Sequence, residues 1–215
     1  MKEKQILVLG GPIVQYHDFA EIGPVLREII LAAGFFPVLS EDTSELVSEN
    51  IQAYHGILLC SSGYELSPEQ EKGLLQAIIG FPGEEKGRGL IALHGAAVSF
   101  GNSLAYQRMI GARFLTHPEM AHISISLANK NHPVLDQVDN FIIHDEFYML
   151  EYFPPFKELL FGHYGEFSLP LAWIKPYGLG RVFSLMLGHG KEQLNHASMI
   201  SLLRNGLKWS LGSEL

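Results

Sequence analysis

Cysteine is nearly absent from this chain of 215 residues, which contains only Cys60. A single thiol forms no internal disulfide and cannot supply the several thiolates of a structural zinc cage. Such sparse use of cysteine is typical of a reducing compartment, and we therefore expect a cytoplasmic protein. Because Cys60 follows the apolar run "GILL" (56–59), we interpret it as a small buried residue that takes no part in catalysis.

Basic residues and long apolar runs are also scarce. The 15 Lys and Arg residues are scattered and are outnumbered by 23 Asp and Glu, for a net charge of −8. Nucleic acids and anionic membranes are bound by basic stripes, so we expect neither as a partner. No run reaches the roughly 18–20 apolar residues of a membrane span, and the first ten residues lack the apolar core of a signal peptide.

Two common catalytic signatures are missing. The chain has no G-x-S-x-G motif, which argues against a serine hydrolase of the α/β type. The segment "GGPIVQYH" (10–17) does not fit the G-x-G-x-x-G pattern of dinucleotide-binding proteins. We therefore expect no nucleotide cofactor.

In the first half of the chain, strand patterns alternate with helix patterns. Apolar runs at 5–9, 56–60 and 89–93 are of the type buried on both faces of a parallel sheet, and Pro37 places the run 35–40 toward a sheet edge. A helix is predicted to end at Gly34, and Ser67 with Gln70 forms a capping box at the start of another. This alternation predicts one domain over residues 1–215, an α/β fold of three layers with a parallel sheet between helices.

The second half is less regular. Residues 171–189 predict a hairpin of two strands around a turn at 176–180, and apolar spacing predicts a last helix over about 194–210. We expect residues 112–188 to extend the parallel sheet with antiparallel strands.

The ten histidines are the most unusual feature of the composition. His17, His94 and His189 each follow a predicted strand, and ligands of open parallel sheets bind beyond the carboxyl ends of the strands. We therefore expect these three imidazoles to converge. His94 and Gly95 occupy a strand-to-helix turn of the kind on which hydrolases carry a nucleophile. An imidazole at that position suits acid–base chemistry or metal binding.

Carboxylates and aromatic rings complete the candidate site. Asp145 and Glu146 are adjacent, so in an extended segment one would face the site while the other anchors a loop, and both are candidate catalytic residues. Tyr148 and Trp173 are candidates for binding a sugar ring by stacking. His117 is a further candidate for contact with the substrate.

Several segments, taken together, resemble the ThuA-like family, which is named for trehalose utilisation and has the flavodoxin-like fold of class I glutamine amidotransferases. They are "YHDF" (16–19), "GLIALHGA" (89–96), "MIGARFLTHP" (109–118), "NHPV" (131–134), "DEFY" (145–148), "LAWIKPYGLGRVFSLMLGH" (171–189) and "LLRNGLKWSLG" (202–212). Amidotransferases place a cysteine where this chain has His94, so the resemblance implies the fold without glutaminase activity. It also implies a role in the catabolism of a small sugar, such as trehalose or a keto-disaccharide.

Two mechanisms and two classes of function are compatible with these residues. In one mechanism His17, His94 and His189 bind a divalent cation, zinc first, with a coordination position left for water or sugar. In the other, His94 is the general base, Glu146 is the acid, and His17 and His189 bind substrate. With either mechanism the protein is an enzyme, a hydrolase or a lyase or isomerase that acts on a sugar. The alternative class of function is a non-catalytic module that binds a sugar or a partner. The sequence leaves open whether the chain forms a homo-oligomer.

Overall fold

A nine-stranded mixed sheet organises the computed structural model, which describes residues 4–12, 17–128 and 131–212. The strand order is β2-β1-β3-β4-β11-β10-β9-β6-β7, and β5 and β8 form a separate two-stranded sheet. The strands are β1 (Gln5–Leu9), β2 (Phe36–Ser40), β3 (Gly56–Leu59), β4 (Gly89–Leu93), β5 (Ala112–Thr116), β6 (Ala121–Leu127), β7 (Phe141–Asp145), β8 (Met149–Tyr152), β9 (Lys157–Tyr164), β10 (Phe167–Tyr177) and β11 (Gly180–Leu185).

The parallel half of the large sheet consists of β2, β1, β3, β4 and β11. Every residue of β3 and β4 is buried, which requires cover on both faces and explains their uninterrupted apolar sequences. β2 lies at the edge, as Pro37 predicts, since proline cannot donate a hydrogen bond to a second neighbour. The predicted α/β fold with a central parallel sheet is confirmed.

Helices cover both faces of this sheet. They are α1 (Phe19–Ala32), α2 (Ser48–Ile51), α3 (Pro68–Ile79), α4 (Leu104–Ile110), α5 (Lys191–Leu194) and α6 (Ala197–Ser210). α1, α5 and α6 pack on one another, and α3 packs on α2 and α4. None of the helices within the described ranges has the length and apolar character needed to cross a bilayer.

Two details of the second half differ from the sequence-based prediction. The strand β11 lies within 112–188 but pairs parallel to β4, so the antiparallel extension consists of β10, β9, β6 and β7. The last helix is interrupted: α5 ends at Leu194, and α6 begins after His196, whose Nδ1 accepts a hydrogen bond from the Ser198 amide. The apolar spacing continues across this break, which is why it gave no signal in the sequence.

Side-chain caps fix where the helices that flank the site begin. Asp18 caps α1 by accepting a hydrogen bond from the Ala20 amide, directly after His17. Ser67 and Gln70 form the predicted capping box of α3. Because α1 starts at a defined residue, His17 is held between β1 and the first turn of that helix.

Candidate active site

Three imidazoles and one carboxylate meet beyond the carboxyl ends of the parallel strands. The ring centroid of His17 lies 5.0 Å from those of both His94 and His189, and the last two are 5.4 Å apart. Glu146, which follows β7, reaches the same point from the antiparallel half. We call His17, His94, Glu146 and His189 the histidine cluster. The three histidines therefore converge in the structure, as their positions after predicted strands led us to expect.

His94 is presented by a strained turn. It follows β4 directly and has φ of +40°, a value that residues other than glycine rarely adopt. A Cβ on Gly95 would lie 3.1 Å from the Ser61 carbonyl oxygen, a tight contact that a larger residue could make only if the end of β3 shifted by a few tenths of an ångström. The turn therefore has the geometry of a nucleophile elbow, with an imidazole in place of the nucleophile.

The hydrogen bonds of His94 define its tautomer. Nδ1 lies 3.2 Å from the Met186 carbonyl oxygen, which can only accept, so Nδ1 carries the proton. At Nε2 the neutral ring accepts from the Tyr148 hydroxyl over 2.9 Å, whereas a protonated ring donates to Oε2 of Glu146 over 3.2 Å. His94 is only 1% exposed, so a sugar cannot reach it in this structure. It is therefore poorly placed to be a general base that touches substrate directly.

Glu146 holds the cluster together electrostatically. Its Oε2 lies 3.2 Å from His94 Nε2 and 3.3 Å from His189 Nδ1, and its Oε1 lies 3.5 Å from His117 Nε2. Burial would raise the pKa of this carboxyl group, but the hydrogen bonds and charges of His189 and His94 outweigh burial and lower the pKa. Glu146 is thus an ionised acceptor, which does not suit the general-acid role considered in the metal-free mechanism.

The two remaining imidazoles have opposite properties. His17 is 9% exposed, and neither of its ring nitrogens has a hydrogen-bond partner. Burial, and then the neighbouring His94 and His189, lower the pKa of His17 to about 3, so its ring is neutral. The pKa of His189 is raised instead, chiefly because Glu146 lies beside its Nδ1.

Asp145 lies beneath the cluster and anchors the chain around it. It is fully buried, and its carboxylate accepts hydrogen bonds from the backbone amides of Glu146 (2.8 Å), Gly188 (2.7 Å) and His189 (3.3 Å). These bonds tie together the two segments that carry Glu146 and His189. The carboxylate has no opening to solvent, so we correct its candidate catalytic role to one of positioning.

The aromatic candidates fall into two groups. Tyr148 stacks on His94 with 4.3 Å between ring centroids, and its burial raises the pKa of its hydroxyl. Trp173 is fully buried, stacks on Phe156, and donates its indole N–H to the Ile110 carbonyl oxygen at 2.8 Å. With no exposed face it cannot stack on a sugar, so the proposed substrate contact of Trp173 is wrong. A tryptophan in an apolar strand has the same sequence pattern whether it packs in the core or binds a ligand, so the sequence could not separate the two roles.

The open side of the cluster carries His117. Its side chain is 36% exposed, against 22% for His189 and 2% for His94, so solvent reaches the cluster from this side. Nδ1 of His117 lies 2.7 Å from the Pro118 carbonyl oxygen, which leaves Nε2 facing Glu146. Phe114, which sequence reasoning missed, packs against both His117 and Tyr148 and shapes this entrance. An aromatic residue in a short strand carries no sequence signal for such a role.

Sulfur chemistry is excluded at the elbow. Cys60 lies at the end of β3, is 4% exposed, and its Sγ is 3.5 Å from the Leu9 carbonyl oxygen. Burial raises the pKa of its thiol, which keeps it protonated. The chemistry available here is therefore that of imidazoles and a carboxylate, with donor atoms from all four cluster residues within 4.8 Å of one another.

Comparison with known proteins identifies relatives along almost the whole chain. The ThuA family model, described as trehalose utilisation, matches residues 5–210. A ThuA-like protein from Parabacteroides merdae superposes with a TM-score of 0.83 at 18% identity, covering 99% of this chain and 91% of the other. A comparison with curated protein sequences gave no match.

Two further solved structures bear on the fold. A cytoplasmic protein from Salmonella typhimurium has a TM-score of 0.69 at 13% identity, with 96% of this chain and 99% of that chain covered. A glutamine amidotransferase from Thermotoga maritima has a TM-score of 0.60 at 12% identity, with 99% and 100% covered. At such identities these structures establish the fold, and the predicted amidotransferase-like fold is confirmed.

Proposed function

Since the chain belongs to the ThuA (trehalose utilisation) family, we propose that it is an enzyme that acts on a small sugar or keto-disaccharide at the histidine cluster. The observation that carries this proposal is the meeting of three imidazoles and an ionised carboxylate at the strained turn after β4. A pocket that only binds a sugar has little need for so many proton-transferring groups in one place. A cytoplasmic location is part of the proposal and is supported by the description of the Salmonella neighbour.

Glutaminase chemistry is not part of the proposal. It would require a thiolate nucleophile on the turn after β4, where this chain has His94. The thiol of Cys60 is on another strand and is buried. The amidotransferase-like fold therefore serves a different reaction in this protein.

Proton transfer next to a carbonyl is the reaction that the geometry supports best. Glu146 Oε1 and His117 Nε2 lie 3.5 Å apart on the open side, so a substrate that enters from this side would contact both groups. In an enolisation, Oε1 takes the proton from the carbon next to the carbonyl, the C–H electron pair forms the new C=C bond, and the carbonyl oxygen takes a proton from an N–H at Nε2 of His117. The reverse transfers at the adjacent carbon complete an isomerisation.

The test is incubation of the purified protein, made without a His-tag, with trehalose and with 3-keto-disaccharides, with and without added divalent metal. We expect turnover of at least one of these sugars. It should fall on the order of 100-fold or more in Glu146→Gln and His117→Gln, since general acid–base catalysis contributes roughly that much. His122→Asn, which removes an exposed imidazole on β6, is the matched control and should retain activity. Binding of sugars without turnover under every metal condition would instead establish a non-catalytic binding module.

A further inference from the structure

We infer that the histidine cluster is a binding site for one borderline divalent cation, zinc in the first place, with nitrogen ligands from His17, His94 and His189 and an oxygen ligand from Glu146. The inference rests on the same site as the proposed function. It concerns what occupies the cluster, however, and can be tested without any substrate.

The first argument is the unpaired nitrogens of the buried His17 ring. Both ring nitrogens of His17 are buried without a hydrogen-bond partner, whereas Nδ1 of His189 has Oε2 of Glu146 3.3 Å away. Leaving a buried polar group unsatisfied costs about 1–3 kcal/mol, so such groups in native proteins usually face water or an ion. Two unpaired nitrogen atoms on one buried ring, beside two further imidazoles and a carboxylate, make a cluster that a ligand would complete.

The second argument is the orientation of His94. Its Nδ1–H donates to the Met186 carbonyl oxygen, so Nε2 is the nitrogen left for a ligand, and it lies 3.2 Å from Oε2 of Glu146. In the neutral ring these are two electron-rich atoms, and their repulsion is relieved by a proton or by a metal ion between them. A backbone carbonyl that orients the far nitrogen of a histidine is also the usual outer support of a metal-binding imidazole.

The third argument is distance. Zinc bonds of about 2.0–2.1 Å in a tetrahedron place neighbouring ligand atoms about 3.3 Å apart. Glu146 Oε2 lies 3.2 Å from His94 Nε2 and 3.3 Å from His189 Nδ1, which are edges of that length. All four ligand atoms lie within 4.8 Å of one another, so modest rotations about the side-chain torsions close the remaining gaps.

The surroundings hold these ligands in place before any ion binds. Asp145 fixes the backbone at both Glu146 and His189 through three amide hydrogen bonds. Tyr148 donates to His94 Nε2 and also lies within hydrogen-bonding reach of Glu146. When an ion takes the Nε2 lone pair, the hydroxyl therefore has the carboxylate as its next acceptor and is not left unpaired.

The ligand set selects the class of ion. Three imidazoles and one carboxylate suit zinc, cobalt, nickel or ferrous iron, whereas magnesium and calcium prefer sites built from oxygen alone. The negative charge of Glu146 partly balances the charge of the ion in this buried setting. Such an ion would polarise a sugar carbonyl or acidify a bound water.

The experiment uses the full chain without a His-tag, stripped of metal with a chelator and dialysed. Zinc is titrated by calorimetry, and cobalt is titrated by its visible absorption spectrum. We expect one ion per chain in the wild type. Removal of a ligand in His189→Ala or His17→Ala should weaken binding on the order of 100-fold or more, because even the outer supports of metal sites are worth 10–100-fold.

Two controls make the result decisive. His122→Asn breaks the exposed cross-strand pair of His122 and His144, whose rings are 5.0 Å apart, and should leave the affinity unchanged. Unfolding curves of each stripped variant show whether a weak binder is still folded. His189, with 22% of its side chain exposed, is the most exposed of the four ligands, so the fold should tolerate its loss best. A wild type that binds no zinc, or binding that is lost in His122→Asn and kept in His189→Ala, would overturn the inference.

The two proposals fail in different ways. A stoichiometric ion without turnover of any sugar would contradict the proposed enzyme and leave the metal site intact. Turnover in a protein that binds no zinc in the titration would contradict the metal site and leave the enzyme intact.

Discussion

At the scale of single residues, the site depends on groups that touch no substrate. Asp145 is an example. Its carboxylate accepts hydrogen bonds only from backbone amides, and these bonds position the segments that carry Glu146 and His189. An extended segment alternates its side chains, and this is why Glu146 points into the cluster while Asp145 points away from it. The sequence predicted this division of roles but could not say which of the two acids faces the site.

The Asp145→Asn variant tests the positioning role. The amide keeps one acceptor oxygen but turns an NH₂ group toward a backbone donor, so at least one amide loses its partner. We expect the free energy of unfolding of the metal-free protein to fall by about 1–3 kcal/mol, and zinc affinity to fall about 10–100-fold. Urea unfolding and calorimetry measure the two effects. Asp136→Asn, at an exposed position, is the control, and equal behaviour of both variants would contradict the role.

Cys60 provides a second test at the same scale. Burial raises the pKa of its thiol, so the reactive thiolate is almost absent at neutral pH. We expect a thiol reagent to label Cys60 only after unfolding in urea. Cys60→Ser should retain activity within a few-fold, because the hydroxyl can still donate to the Leu9 carbonyl oxygen. Rapid labelling of the native protein would show that the thiol is accessible and that this interpretation is wrong.

At the scale of secondary-structure elements, the apolar pattern predicts which elements exist, whereas side-chain caps determine where the helices begin. The strands β1, β3 and β4 were predictable because continuous apolar runs have few alternatives inside a parallel sheet. The break between α5 and α6 was not, because His196 resembles any polar helix residue until its ring is seen to cap Ser198. β11 was placed in the hairpin with β10 correctly, but its parallel partner β4 is distant in sequence and leaves no local signal.

Ser67→Ala tests the contribution of one cap. The serine hydroxyl accepts from the Gln70 amide, while the Gln70 side chain accepts from the Ser67 amide. Loss of this capping box should lower the free energy of unfolding by about 0.5–2 kcal/mol. The helix α3 carries no cluster residue, so zinc affinity should not change. A loss of zinc binding in this variant would mean that α3 supports the site in a way that its contacts do not reveal.

His132 makes the stability of another short element depend on pH. Its Nδ1 accepts a hydrogen bond from the Val134 amide at the start of the turn Pro133–Leu135, and only an unprotonated nitrogen can do so. Burial, and then the charge of Lys157, lower the pKa of His132 from its ordinary value of 6.5. Its contribution is therefore complete above pH 6.5 and is lost as the pH falls toward the lower pKa of the folded state.

The variant His132→Asn separates this effect from that of the other histidines. Asparagine can accept the same hydrogen bond but does not titrate. Between about pH 8 and about pH 5.5, the wild type should therefore lose more stability than the variant does. Urea unfolding at the two pH values measures the difference. Equal losses would show that the ring of His132 does not titrate differently on folding.

At the scale of the whole molecule, the cluster is where distant parts of the chain meet. His17 and His94 follow strands of the parallel half, Glu146 follows the antiparallel strand β7, and His189 follows β11, which joins the two halves. Strand ends were enough to predict that the three histidines converge. Two features could not be predicted: the lack of hydrogen-bond partners at His17, and the orientation of Glu146, whose Oε1 faces His117 while its Oε2 faces the other imidazoles. Both depend on side-chain rotations that no sequence spacing encodes.

Zinc should therefore stabilise the fold as a whole. The ligands are spread from residue 17 to residue 189, so the unfolded chain does not present them together and zinc binds mainly to the native state. At a free zinc concentration about 100 times Kd the gain is about 2.7 kcal/mol, which corresponds to a rise in Tm of roughly 5–10 °C for a chain of this size. The increment should disappear in His189→Ala. In Ser67→Ala the Tm should start lower but rise by the same amount, because separated sites contribute additively. If zinc left the Tm of the wild type unchanged while calorimetry showed binding, the ion would be held by a site that the unfolded chain offers equally well.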